Sequence, residues 1–204
     1  MNLDLIHCIL RAKDDYAEFA RFFLGTEISA DFSAMLNKAA SLNKTVVLRG
    51  KRRSGKSLAI EILALHKSIF NPNLLNLVVV KNQDQRLALL SKFTRIITMN
   101  SDTIGMFTVD RTCIKLQNNS KILVLTSSEL HRNVAGITVN NVYVDELQSF
   151  EYTNQVSFIQ NVFPKCSISN RSQICISIDE GILGNSPVID AIEKNKEYTT
   201  IEYL

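Results

Sequence analysis

The sequence predicts an α/β fold in three layers, a mainly parallel sheet with helices on both faces, and three observations carry the prediction. Strand-sized β-branched runs alternate with apolar or amphipathic stretches of helical length. A glycine loop joins the first of these strands to the helix after it, and an acidic pair closes a later strand. Alternation of this kind calls for parallel strands linked by crossover helices that cover both faces of the sheet.

With 204 residues, 46% of them apolar, the chain is long enough for one well-buried core. Its 7 glycines and 3 prolines are too scattered to make a linker, and no internal repeat is present. The longest apolar runs, Asn76 to Val80 and Ile122 to Leu125, are strand-sized and far short of a bilayer span. Met1-Asn2-Leu3-Asp4 places an acid where a secretion signal carries base, so neither membrane insertion nor export is expected. Cys8, Cys113, Cys166 and Cys175 lie far apart, and His7, His66 and His131 form no ligand spacing with them. Free thiols in a reducing compartment are therefore expected, and no metal centre built on them. The net charge of +3 permits contact with nucleic acid without arguing for it.

Residues 1–44 read as a helical segment and 45–204 as the core. Leu3 to Leu24 carries an apolar stripe broken near Lys13-Asp14, which predicts one or two short helices ended by Gly25. Ser29 or Asp31 is placed to cap a further helix running to about Leu42. Thr45 to Arg49 predicts a strand, Ser57 to Phe70 an apolar helix, Leu77 to Lys81 a second strand and Gln83 to Thr98 an amphipathic helix. Cys113 to Gln117 and Lys121 to Thr126 predict a hairpin about Asn118-Asn119-Ser120. Val142 to Val144 follows as a strand, Tyr152 to Val162 as a helix and Ile174 to Ser177 as a strand. Pro187 to Lys194 reads as a last helix and Thr199 to Tyr203 as a final strand.

Gly50-Lys51-Arg52-Arg53-Ser54-Gly55-Lys56-Ser57 matches G-x-x-x-x-G-K-[ST] and lies between an apolar strand and a helix, where its mechanism requires it. Such a loop turns its N–H groups inward at a helix N-terminus, a setting that favours a polyphosphate. Gly50 and Gly55 allow a tight turn and close approach of backbone to ligand. Lys56 is expected to neutralise β- and γ-phosphate oxygens of ATP, and the Ser57 hydroxyl to join the octahedral shell of Mg²⁺. The plainer reading is a glycine turn with an incidental lysine, and for Arg52 and Arg53 a pair of solvated charges beside an anion site.

The second half of a P-loop site is supplied by Val142-Tyr143-Val144-Asp145-Glu146. Asp145 is expected to bind Mg²⁺ or one of its waters, and Glu146 to orient and deprotonate the attacking water. A strand between the Walker A and Walker B motifs sets the chain apart from kinases and small GTPases. The fold class is thus a three-layer P-loop NTPase of the RecA-like, ASCE type, and hydrolysis by an acid-activated water is the expected chemistry.

In this order of motifs the chain resembles the ATPase domain of the large terminase subunit, the motor that pumps DNA into viral capsids. The likeness takes in Asn73 to Lys81 with Gln83 to Ile97, the Lys115 to Ser128 hairpin, and Gly136 ahead of the acidic strand. It implies that Arg52 acts on the γ-phosphate, that Glu146 is the catalytic carboxylate, and that Ser177 belongs to a coupling motif sensing phosphate loss. It further implies double-stranded DNA, a capsid portal and a small terminase subunit as partners. A homo-oligomeric ring when active, or a monomer in isolation, in the cytoplasm of an infected host cell goes with the same likeness.

The chain departs from the resemblance at Phe32, which stands where the family has an adenine-reading glutamine. Ala135 replaces a usual arginine, with Arg132 three residues earlier, and the coupling segment reads Ser177-Ile178-Asp179-Glu180-Gly181. The family's nuclease domain has no counterpart expected within 45–204, so ATP hydrolysis without DNA cleavage is the expectation. Asp145-Glu146-Leu147-Gln148 also resembles a helicase signature, which keeps a single helicase lobe as an alternative. A nucleotide-gated assembly protein is another.

Overall fold

Three helices precede the first strand: α1 (Leu3–Asp14), α2 (Tyr16–Phe19), continued by a π turn over Ala20–Leu24, and α3 (Ala30–Ser41). The structure, a computed structural model, describes residues 3–42, 45–99, 106–130, 134, 137–162, 173–179, 189–190, 194 and 198–203. Asp15 breaks the first stripe, its carboxylate accepting the Ala17 N–H at 2.7 Å as the cap of α2. Gly25 ends the π turn at φ 60°, a left-handed conformation that suits glycine. Of the two cap candidates, Ser29 is the one used: its Oγ accepts the Phe32 N–H at 3.2 Å.

The chain then runs β1 (Thr45–Gly50), α4 (Lys56–Phe70), β2 (Leu75–Val80) and α5 (Gln83–Met99). It continues through β3 (Phe107–Val109), β4 (Cys113–Leu116), β5 (Lys121–Thr126), β6 (Asn141–Val144), α6 (Tyr152–Asn161), β7 (Gln173–Asp179) and β8 (Tyr198–Tyr203). These strands form one sheet in the order β3-β4-β5-β2-β6-β7-β1-β8. The six from β5 to β8 run parallel, while β4 and β3 continue the sheet antiparallel beyond β5.

The predicted hairpin is β4–β5, turned by Asn119 at φ 66°. The three-residue β3 went unpredicted, because so short an edge strand has little room for a period-two signal. Strand β2 begins two residues before the predicted Leu77, since Leu75 and Asn76 pair with Lys121 and Ile122 despite the polar side chain of Asn76. The helix predicted from Pro187 to Lys194 falls mostly outside the described residues.

Alternating strand residues divide the core into two layers. One face packs Val46, Leu48, Val78, Val80, Tyr143 and Cys175 against α1–α5. The other packs Val47, Leu77, Val79, Val142, Val144, Ile174 and Ile176 against Leu147, Phe150 and the α6 residue Phe158. Among the described residues no helix is long and apolar enough to cross a membrane.

At the end of the sheet away from the glycine loop, a row of buried amides crosses three strands. Asn141 Nδ2 donates to Asn76 Oδ1 at 2.7 Å, Asn76 Nδ2 donates to Ser68 Oγ at 2.5 Å, and the Gln173 N–H donates to Asn141 Oδ1 at 3.2 Å. Gln173 Nε2 reaches out of the sheet to the carbonyls of Ala39 and Leu42 at 2.6 and 2.9 Å, tying α3 to β7. Every member is paired, as buried polar groups need to be.

The N-terminal helices are docked on α4 through His66, whose ring packs against Tyr16, Phe19 and Phe70 at centroid distances of 4.3, 4.9 and 4.8 Å. His66 Nε2 donates to the Lys13 carbonyl at 3.0 Å, an acceptor that fixes the tautomer. Burial holds its pKa down at about 4, against an ordinary 6.5. The unfolded chain therefore takes up this proton first, and stability present above pH 6.5 is lost as pH falls toward 4. The loss is expected to reach roughly 3 kcal/mol. Urea denaturation at pH 7 and pH 4.5 checks it, with His66→Phe expected to flatten the difference. An equal pH dependence in that variant counts against the assignment.

Candidate active site

The loop between β1 and α4 is built for an anion. Arg53 at φ 66° and Gly55 at φ 89° are both left-handed, and the Ser54 N–H donates to the Lys51 carbonyl at 3.3 Å, so the backbone curls over the start of α4. Gly55 caps α4 without a side-chain acceptor, which leaves the N–H groups of the first turn for a ligand. A Cβ on Gly55 would stand 3.1 Å from the ring of Phe32, which is buried beneath the loop. Phe32 thus buttresses the glycine.

The acidic pair lies at the end of β6, with β7 between that strand and β1. Ser57 Oγ on α4 donates to Asp145 Oδ1 at 3.1 Å, and Ser177 Oγ on β7 donates to the same oxygen at 2.8 Å. Ser177 Oγ also accepts the Glu146 N–H at 2.8 Å. Glu146 sits at φ 51°, a left-handed conformation that costs a residue with a Cβ about 1 kcal/mol or more and that tends to mark functional sites. Buried Ser177 holds that conformation and the Asp145 carboxylate together. Gln85 Nε2, from the first turn of α5, donates to Glu146 Oε2 at 3.5 Å.

Lys56 is 7% exposed, its ammonium donating to the carbonyls of Gly50 and Lys51 at 2.8 and 2.5 Å and to Ser54 Oγ at 3.4 Å. It also pairs with Asp179 Oδ1 at 3.0 Å. The Arg52 side chain is 90% exposed, with Nε 3.9 Å from Asp179 Oδ2. Asp179, like Gln85, is a residue that sequence reasoning missed as part of the site. Its only signal was its place two residues after Ser177 on the same face of β7, and it needed the β1–β7 register, in which Gly50 faces Asp179. Behind Ser57, one turn along α4, burial pushes the Glu61 carboxyl up; its 2.7 Å bond from Lys92 opposes this and the charge of Asp145 adds to it. Arg132, Ala135, Gly136 and Glu180 lie outside the described residues.

Arg52, Arg53, Gly55, Lys56, Ser57, Glu146 and Asp179 line one cavity of 670 Å³, within the usual size range of small-molecule sites. The residues present suit both groups the motif calls for. A helix N-terminus without a side-chain cap, a buried ammonium and two arginines suit a polyphosphate. The Ser57 hydroxyl beside the Asp145 carboxylate is an all-oxygen pair of the kind Mg²⁺ accepts.

Fold and site together define a P-loop ATPase architecture, a RecA-like three-layer sheet with one strand between the loop-bearing and acid-bearing strands. No protein-family model matches the sequence, and no curated protein does. Among solved structures, its neighbours include large terminases and a helicase domain. The chain is similar to the large terminase ATPase domain of Thermus phage P74-26 with a TM-score of 0.58 at 15% identity, over 79% of this chain and 69% of that one. It is similar to the HK97 bacteriophage large terminase with a TM-score of 0.70 at 13% identity, over 94% of this chain and 43% of that one. The helicase domain of Pyrococcus furiosus Hef is also similar, with a TM-score of 0.54 at 13% identity over 83% of this chain and 36% of that one.

Proposed function

We propose that the chain is a Mg²⁺-dependent ATPase of the terminase kind, whose hydrolysis drives double-stranded DNA into a capsid. The reading assigns to it a ring of copies acting with a portal and a small terminase subunit. The observation that carries it is the convergence of Lys56, Ser57 and Glu146 on one cavity, with Asp145 bonded to Ser57 and Ser177 bonded to both acids. Likeness of fold to the P74-26 and HK97 terminases supports the packaging part.

In this reading Lys56 and the loop N–H groups hold the phosphates, and Ser57 and Asp145 hold Mg²⁺. The ion would offset charge on the β- and γ-oxygens. Glu146 accepts a proton from the attacking water, its carboxylate aimed by Gln85 and its backbone by Ser177.

A second reading, one lobe of a helicase, is favoured by Asp145-Glu146-Leu147-Gln148 and by the likeness to Hef. ATP turnover with and without double-stranded DNA, run beside a strand-separation assay, distinguishes them. Packaging predicts stimulation by duplex DNA without unwinding; strand separation by the chain overturns it. Absence of turnover in either condition removes the ATPase reading itself.

Arg52 is expected to act late in phosphoryl transfer, because its exposed guanidinium, held only by a 3.9 Å ion pair with Asp179, can swing onto charge that develops at the γ-phosphate. Arg52→Ala should lower kcat by a larger factor than it weakens ATP binding. Titration of a slowly hydrolysed analogue beside steady-state rates measures both. A variant that loses affinity alone makes Arg52 part of the binding surface only.

A further inference from the structure

An ammonium has three protons, and the Lys56 ammonium already donates to Gly50 O at 2.8 Å, Lys51 O at 2.5 Å and Ser54 Oγ at 3.4 Å, with Asp179 Oδ1 ion-paired to it at 3.0 Å. The two carbonyls belong to the loop that holds the lysine. Asp179 is the one full negative charge in the set, and its side chain is 13% exposed. It faces Gly50 across β1–β7 and lines the same cavity as Ser57 and Glu146. A phosphate approaching Lys56 thus meets a carboxylate already paired with it. Two anions beside one cation in a partly desolvated cavity repel each other strongly.

We infer that Asp179 is an internal competitor for the phosphate-binding lysine, so that nucleotide binding and the Lys56–Asp179 pair exclude one another. The inference rests on the reading of Lys56 as a phosphate ligand. It makes Asp179 a residue that sets nucleotide affinity. Asp179 and Ser177 are two apart on one face of β7, and Ser177 holds the Glu146 N–H and the Asp145 carboxylate. Arg52 Nε, 3.9 Å from the other Asp179 oxygen, is in place to receive the released carboxylate.

The test titrates wild type, Asp179→Asn and Asp179→Glu with a fluorescent ADP analogue, without metal and at fixed ionic strength, and measures KM and kcat for ATP. Asp179→Asn is expected to bind about tenfold tighter, a change of about 1.4 kcal/mol, and to lower KM without raising kcat. Asp179→Glu, which keeps the charge, should return most of the way to wild type. Affinity in Asp179→Asn equal to or weaker than wild type overturns the inference, provided wild type binds. Failure of wild type to bind nucleotide defeats the underlying reading instead, so the two failures are distinct. Asp179→Ser is the second variant and should move the same way; if neither folds, Asp179 is a structural partner of Lys56 and the competitor role is overturned.

Discussion

Glu146→Gln is expected to lose about 100- to 10,000-fold in ATP turnover, the range a positioned general base contributes, while Mg·ATP affinity is retained. The amide has the shape of the carboxylate and keeps an oxygen that can accept from Gln85, which donates to Glu146 Oε2 in the structure. The left-handed backbone at this residue is also preserved, since the bond that holds it runs from the main-chain N–H to Ser177. Chemistry is thereby separated from geometry. Single-turnover hydrolysis beside equilibrium binding measures the two quantities, and near-normal hydrolysis in the variant takes Glu146 out of the mechanism.

Lys56→Ala should affect binding and folding together, and the second effect follows from the structure alone. Truncating one member of a buried, hydrogen-bonded charge pair costs about 2–5 kcal/mol of binding, which corresponds to a nucleotide affinity weaker by roughly 30-fold or more. The substitution also strips the Asp179 carboxylate of the ammonium 3.0 Å away. With only the exposed Arg52, 3.9 Å away, left beside it, that carboxylate destabilises the fold by up to about 1–3 kcal/mol. Chemical denaturation without nucleotide reads this directly. A lysine whose sole partner was phosphate would leave that stability unchanged, and such a result would show that the Lys56–Asp179 pair contributes nothing.

Much of the site was legible because its parts are local. The loop from Gly50 to Ser57 is contiguous, and Asp145-Glu146 ends a strand whose apolar residues announce it. The β-strands with strong apolar runs were placed to within a few residues for the same reason. Asp179 was not legible, because its partner is 123 residues away (179 − 56) and they meet only when β7 lies beside β1. Sequence order does not state neighbour order in a parallel sheet. The choice of Ser29 over Asp31 as cap, and the role of Phe32 under Gly55, likewise depend on where a side chain points once the helix is docked.

The amide row acts as a common zero mark for the strands that carry the chemistry. Asn141 and Asp145 are four residues apart on β6 and its continuation (145 − 141), and Gln173 and Ser177 are four apart on β7 (177 − 173). Because Asn141 is bonded to Gln173 at the near end, equal strides up two parallel strands bring Asp145 level with Ser177 at the far end. A slip of one residue between them would turn one of the two side chains to the opposite face of the sheet and part the carboxylate from the hydroxyl. The alignment of Asp145 with Ser177 is therefore measured out from three amides about 13 Å away, at roughly 3.3 Å per residue, at the opposite end of the strands.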